Sequence, residues 1–206
     1  MLKLFHAWGS CSLASAIALE EAGASHDLVI MDTKAGDQRK PEYLALNPKA
    51  RVPALITDQG VLTETPAILA WVAQTWPAAK LAPLDDPFAF AKAQAFNSYL
   101  CSTVHVAHAH KHRGYRWTDD PVAQAAMTAA VPKNEIACFR LIEDEMFEGP
   151  WVLGESFSIC DAYLFTLFGW LSGDGVDTDQ FVRLADHSRR VADRPAVRKV
   201  LAQQAA

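Results

Sequence analysis

The sequence predicts an α/β domain followed by an all-α domain, and three observations carry that reading. Strand-like and helix-like patterns alternate through residues 1–77 in the order βαβαββα. Periodicity then stops over residues 78–86, and only helical spacing follows through 87–206. The 206 residues, 50% of them apolar, suffice for two small domains with real cores.

Taken in order, Leu2–His6 is a short apolar strand, and Ser12–Ala22 is a helix with Leu13 and Ile17 on one face, stopped by Gly23. Asp27–Met31 reads as the second strand, Pro41–Leu46 as a short helix opened by its proline, and Val52–Ile56 as the third strand. The turn Asp58-Gln59-Gly60 leads into Val61–Thr63 as a hairpin, and Pro66–Gln74 closes the unit as a helix with Ile68, Leu69 and Val72 inward. Pro77, Pro83 and Pro87 punctuate the interdomain linker. Beyond it, helices are expected over about 87–114, 121–146, 158–172, 178–191 and 195–204.

The net charge of −5 argues against a general grip on nucleic acid or an anionic membrane. No apolar run approaches the roughly 18 residues of a membrane span, and the start Met-Leu-Lys-Leu-Phe-His runs straight into a strand without signal-peptide features. The cysteines at 11, 101, 138 and 160 show no Cys-x-x-Cys spacing, which fits a reducing cytoplasm.

Three short segments stand out in the first third of the chain. Trp8-Gly9-Ser10-Cys11-Ser12-Leu13 ends a strand and opens a helix, where unpaired N–H groups favour a thiolate at Cys11. Alone, Cys11 reads as a small buried apolar residue, and Ser10 and Ser12 serve equally as helix caps or as donors to a thiolate. Arg51-Val52-Pro53-Ala54-Leu55 starts a strand with a proline, a place where an edge strand also tolerates one. In Thr63-Glu64-Thr65-Pro66-Ala67-Ile68-Leu69, Thr65 is expected as N-cap with Pro66 at the first helical position, a site suited to an anion.

A histidine-rich stretch runs from His105 through His108, His110 and His112 to Tyr115 and Trp117. His105 and His108 share a helix face, as do His108 and His112, but no HExxH or Cys/His zinc spacing accompanies them, so no metal is expected. Ser158-Ile159-Cys160-Asp161 has the form of an N-capping box, which makes Asp161 structural rather than catalytic.

On these segments the chain resembles the cytosolic glutathione transferases over nearly its whole length. That family has a thioredoxin-like first domain and a helical second one. Gly9-Ser10-Cys11-Ser12-Leu13 is similar to the cysteine-bearing active-site turn of the bacterial beta class, and Asn47-Pro48-Lys49-Ala50-Arg51-Val52-Pro53 matches the family specifically. The resemblance implies that Cys11 forms a mixed disulfide with glutathione or hydrogen-bonds its sulfur, with Ser12 ranked behind it and Ser10 beside it. It implies a cis Pro53, with the Val52 backbone pairing the cysteinyl unit of glutathione and Arg51 adjoining. Thr65 and its helix terminus would take the γ-glutamyl carboxylate and Glu64 the ammonium. Lys34 roughly matches a lysine for the glycine carboxylate, with Arg39 and Lys40 as further candidates, and Ser98 replaces a family asparagine. His105 resembles a histidine placed near the sulfur, and Trp8, His108, Tyr115 and Trp117 are candidates for the electrophile cleft.

The expected function is that of a cytoplasmic, homodimeric glutathione transferase of detoxification type. It would use glutathione as co-substrate and direct its thiolate to a small hydrophobic electrophile. The alternatives are glutaredoxin-like thiol–disulfide exchange through Cys11, or a noncatalytic binding protein that keeps the fold.

Overall fold

The computed structural model describes residues 1–204. Strands β1 (Leu2–His6), β2 (His26–Ile30), β3 (Ala54–Thr57) and β4 (Gly60–Thr63) form one sheet in the order β2-β1-β3-β4. β1 runs parallel to β2 and antiparallel to β3, which is hairpin-paired to β4. The parallel pair needs a crossover, and α1 (Ser12–Glu21) provides it. The short α2 (Pro41–Leu44) follows β2, and α3 (Thr65–Thr75) follows β4, which completes the thioredoxin-like βαβαββα unit.

β3 begins at Ala54 rather than at Val52, because Pro53 has no N–H to give to a ladder. Leu4 and Leu55, partners across β1 and β3, are fully buried together with Ile17, Leu19, Ile68, Leu69 and Val72 from α1 and α3. Helix α1 is wedged between the sheet and the helical domain, against α3 on one side and α7 and α9 on the other. Cys11 at its start therefore lies near the domain junction.

The helical domain contains α4 (Pro87–Tyr99), α5 (His105–Arg113), α6 (Pro121–Leu141), α7 (Ile159–Phe168), α8 (Val182–Ala192) and α9 (Pro195–Ala202). The helices expected over 87–114 and 121–146 are each interrupted in hydrogen-bond pattern. A π-turn at Leu100–Val104 separates α4 from α5, and another at Ile142–Met146 ends α6. Apolar spacing does not reveal such a turn, since the extra residue per turn leaves the chain helical in outline. Residues Thr178–Gln180 form a separate 3₁₀ turn, with Asp177 accepting from the Asp179 N–H at 3.0 Å, so α8 starts only at Val182.

The expected capping box is present at α7. Asp161 accepts from the Ser158 N–H and hydroxyl at 2.7 and 2.8 Å, from the Val152 N–H at 2.8 Å, and lies 2.8 Å from His187 Nε2. The connection from the first domain is also anchored here, for the Ile159 N–H donates to the carbonyl of buried Leu81 at 2.9 Å. Across the domain junction Arg194 grips Glu21 with two bonds of 2.5 and 2.6 Å and lies 3.9 Å over the Phe157 ring. No helix of the described residues is long and apolar enough to cross a membrane.

Candidate functional site

Cys11 caps the N-terminus of α1 and is 8% exposed. Its Sγ faces the Val52 carbonyl at 3.7 Å, directly before the cis Val52-Pro53 bond. The Val52 turn is held from behind, where the Tyr43 hydroxyl and the Asn47 amide donate to the Arg51 carbonyl at 2.5 and 2.7 Å. The expectation of a lowered thiol pKa is overturned. Burial pushes the Cys11 thiol up, and the Thr65 side chain and the Arg113 guanidinium oppose it only in part. Cys11 is thus a thiol that donates, not a standing thiolate.

Ser12 departs from its expected role. It is fully buried, its hydroxyl accepts from the Ala7 N–H at 3.1 Å, and it lies 2.8 Å from His6 Nδ1 and 2.6 Å from the Ser10 hydroxyl. Ser10 in turn donates to the Ala7 carbonyl at 2.8 Å. Neither serine caps α1, and Ser12 is spent on bracing the active-site turn rather than on a sulfur. His6 was not singled out by sequence, since it reads as the last residue of a strand. Burial lowers its pKa to about 4, so the ring that supports Ser12 is neutral.

At the start of α3 the sequence expectation is displaced by one residue. Glu64, not Thr65, is the cap residue, and no side chain closes the cap. Thr65 is instead buried beside Cys11. Glu64 holds φ at 73°, a left-handed conformation that is uncommon for a side chain of its size. Its carboxylate binds an ammonium group already, Lys49 Nζ at 2.5 Å, with Thr63 Oγ1 also 2.6 Å from that nitrogen. Both partners are largely exposed, so the pair adds little to stability.

Of the remaining first-domain candidates, Lys40 is paired with Asp37 at 2.6 Å, whereas Lys34 and Arg39 are exposed and form no ion pair among the described residues. Trp8 packs edge-on against His6, with ring centres 4.4 Å apart.

In the helical domain, His105 opens α5 immediately after the π-turn, and Ser98 is exposed one helix earlier. Burial, the charges of Arg113, His108, Arg51 and Arg116 together lower the His105 pKa to about 3, so this imidazole is neutral at ordinary pH. The histidines do not gather as a set. His105 and His108 flank Trp170, at 5.0 and 4.3 Å, while His110 packs on Trp117 at 4.5 Å. His108 Nδ1 is 2.6 Å from buried Asp174, a partner the sequence did not suggest because it is distant in the chain. Tyr115 and Trp117 are 50% and 47% exposed. Arg113, at the end of α5, was also missed. Its charge is felt at Cys11 in the first domain and at His105 in the second.

Residues 1–74 match the family model described as glutathione S-transferase, N-terminal domain. The chain is 31% identical to glutathione S-transferase GstA of Escherichia coli O157:H7, over 98% of each chain. It is 44% identical to a glutathione transferase homolog from Sulfitobacter solved with bound glutathione, with a TM-score of 0.96 covering 99% of this chain and 98% of that one. A bacterial beta class glutathione S-transferase of Sphingomonas chungbukensis is 34% identical, with a TM-score of 0.81 and 98% of each chain covered. The chain belongs to the glutathione S-transferase family.

Proposed function

We propose that this glutathione S-transferase is of the beta-like type. It binds glutathione along the first domain and presents the sulfur to a small electrophile held against α5. The observation that carries the reading is the Cys11 thiol facing the Val52 carbonyl at 3.7 Å, with the buried Thr65 side chain beside it and the Glu64 carboxylate next in the chain. Thr65 Oγ1 and the free N–H groups of α3 suit the γ-glutamyl carboxylate. Glu64 suits the γ-glutamyl ammonium, as its grip on the Lys49 ammonium illustrates. The Val52 backbone suits the cysteinyl unit.

With Ser12 committed elsewhere and the Cys11 thiol raised, Cys11 acts as an S–H donor that stabilises the glutathione thiolate, while the Arg113 charge favours the anion. Neutral His105 assists as a hydrogen-bonding wall of the same cleft. Glutathione is a co-substrate here and no metal is invoked. The resemblance to the family further supports a cytoplasmic homodimer that disposes of reactive electrophiles, with domains meeting at the 78–86 linker.

The test pits conjugation against thiol–disulfide exchange in wild type and Cys11→Ala. In conjugation the thiolate attacks the carbon bearing a halide, a C–S bond forms, and halide leaves. The donor role predicts that Cys11→Ala keeps measurable conjugation to an aryl halide, reduced about five- to tenfold, for the loss of one modest hydrogen bond. Complete loss of conjugation, with rapid reduction of a glutathionylated disulfide by the wild type, would instead assign Cys11 as the nucleophile.

A further inference from the structure

Two histidine–aspartate pairs occur among the described residues, and they differ in one respect. His187 Nε2 lies 2.8 Å from Asp161 Oδ1, and with side chains 1% and 0% exposed that pair is sealed behind the capping box of α7. His108 Nδ1 lies 2.6 Å from Asp174 Oδ2, and here the carboxylate is sealed at 2% exposure while the imidazole keeps 18% of its surface open. A buried carboxylate behind an imidazole with an open far edge is the arrangement of a positioned proton carrier.

The pair is rigidly set. Asp174 lies in the turn after α7, where its own N–H donates to the Trp170 and Leu171 carbonyls at 3.0 and 2.9 Å. Its second oxygen is 3.3 Å from Lys111 Nζ, and Lys111 also donates to the Gly173 carbonyl, so α5 is fastened to this turn through two side chains on one face. The His108 ring stacks on Trp170 with centres 4.3 Å and planes 30° apart, and His105 meets the same indole edge-on at 5.0 Å. A carboxylate that pairs with an ammonium only accepts, so Nδ1 carries the proton and neutral His108 presents the Nε2 lone pair. Nε2 takes no hydrogen-bond partner among the described residues, and unlike His6 Nε2 it is not enclosed.

Substitution at an electrophile discards the thiol proton, whereas addition keeps it in the product. Only addition therefore needs a group that carries it across, and the flat rings of Trp170, His105 and His108 suit a planar, conjugated acceptor. We infer that His108, positioned by Asp174, carries a proton to the electrophile, and that the substrates it serves are conjugated carbonyl compounds. This rests on the transferase reading above, which holds the electrophile against α5, and narrows its substrate class. Sulfur bonds to the β-carbon, the alkene pair shifts toward the carbonyl, and the oxygen takes a proton to give an enol. The proton lost by the glutathione thiol enters the water of the cleft, is taken up at Nε2 and passes to that oxygen, while the Asp174 carboxylate balances the imidazolium in between. The enol returns to the ketone in water, so no proton is gained or lost overall.

The test uses the full-length protein and two electrophiles, 4-phenylbut-3-en-2-one, which adds glutathione, and 1-chloro-2,4-dinitrobenzene, which exchanges chloride for it. His108→Phe keeps a ring against Trp170, and Asp174→Asn keeps the side-chain outline. The ratio of enone to aryl chloride kcat is expected to fall about 10²-fold in His108→Phe and on the order of tenfold in Asp174→Asn. Nitrogen-15 spectra of histidine-labelled protein give a second readout, with His108 identified by its loss in His108→Phe. Neutral His108 is expected to carry its proton on Nδ1 in the wild type and to lose that preference in Asp174→Asn, a change that a purely structural role for Asp174 would not produce. Aryl chloride turnover with a ratio that both variants leave at the wild-type value overturns the proton carrier alone. So does a wild-type His108 whose neutral form is protonated on Nε2. A wild type that turns over neither electrophile rejects the transferase reading and this inference with it.

Discussion

Glu64 shows how much a single residue can be asked to do. Its backbone sits at φ 73°, where most side chains are strained, and its carboxylate binds the Lys49 ammonium at 2.5 Å. If Glu64 holds the γ-glutamyl ammonium, as proposed above, the contact lies far from sulfur, and Glu64→Ala is expected to raise the glutathione dissociation constant by roughly one to two orders of magnitude with little change in kcat at saturation. Calorimetric titration beside steady-state kinetics reads both quantities, and an unchanged affinity would detach Glu64 from the ligand. Cys11 illustrates the opposite lesson. A helix N-terminus lowers a thiol pKa, but burial against the Val52 carbonyl raises it, and here burial is the larger effect.

At the scale of elements, α7 is the post on which the helical domain is set. Every residue from Ile159 to Phe168 except Phe165 is buried, and the helix is begun by a network centred on Asp161, which satisfies Ser158, Val152 and His187 at once. Asp161→Ala leaves three buried partners without a mate, and a loss of about 3–5 kcal/mol is expected from denaturant titration. A loss below ~1 kcal/mol would show that water replaces the carboxylate freely. The π-turn at Leu100–Val104 matters for function in a different way. It separates α4 from α5 and so sets where His105 and, two turns later, Arg113 stand on α5.

At the scale of the whole molecule, buried titratable groups tilt stability against pH in opposite directions. His6 and His105 have pKa values lowered by burial to about 4 and about 3. Their unfolded forms take up protons first as pH falls below about 6.5, so these two groups erode stability on acidification. Glu135 on α6 is 2% exposed, and burial, with Asp174 nearby, raises its pKa to about 8. The folded state keeps a proton that the unfolded state releases, so its contribution is full below about pH 4.5 and is lost as pH rises toward 8. Glu135→Gln should therefore be more stable than wild type by on the order of 1–3 kcal/mol above pH 8, with the difference vanishing near pH 4.5. Urea unfolding at the two pH values checks this, and a pH-independent difference would show that Glu135 does not titrate in that range.

The sequence by itself determined the βαβαββα order, the later run of helices, the capping box at Asp161 and the three segments that meet around Cys11. All of these rest on local spacing or on residues adjacent in the chain, where backbone chemistry speaks directly. Only the tertiary structure decided which way the side chains act. It turned Ser12 inward to His6, raised the Cys11 thiol by burying it, set the Thr65 side chain beside that thiol, and gave His108 to Asp174, 66 residues away. Burial and Coulomb interactions depend on distance in space, and no local pattern in the chain encodes the proximity of residues that far apart.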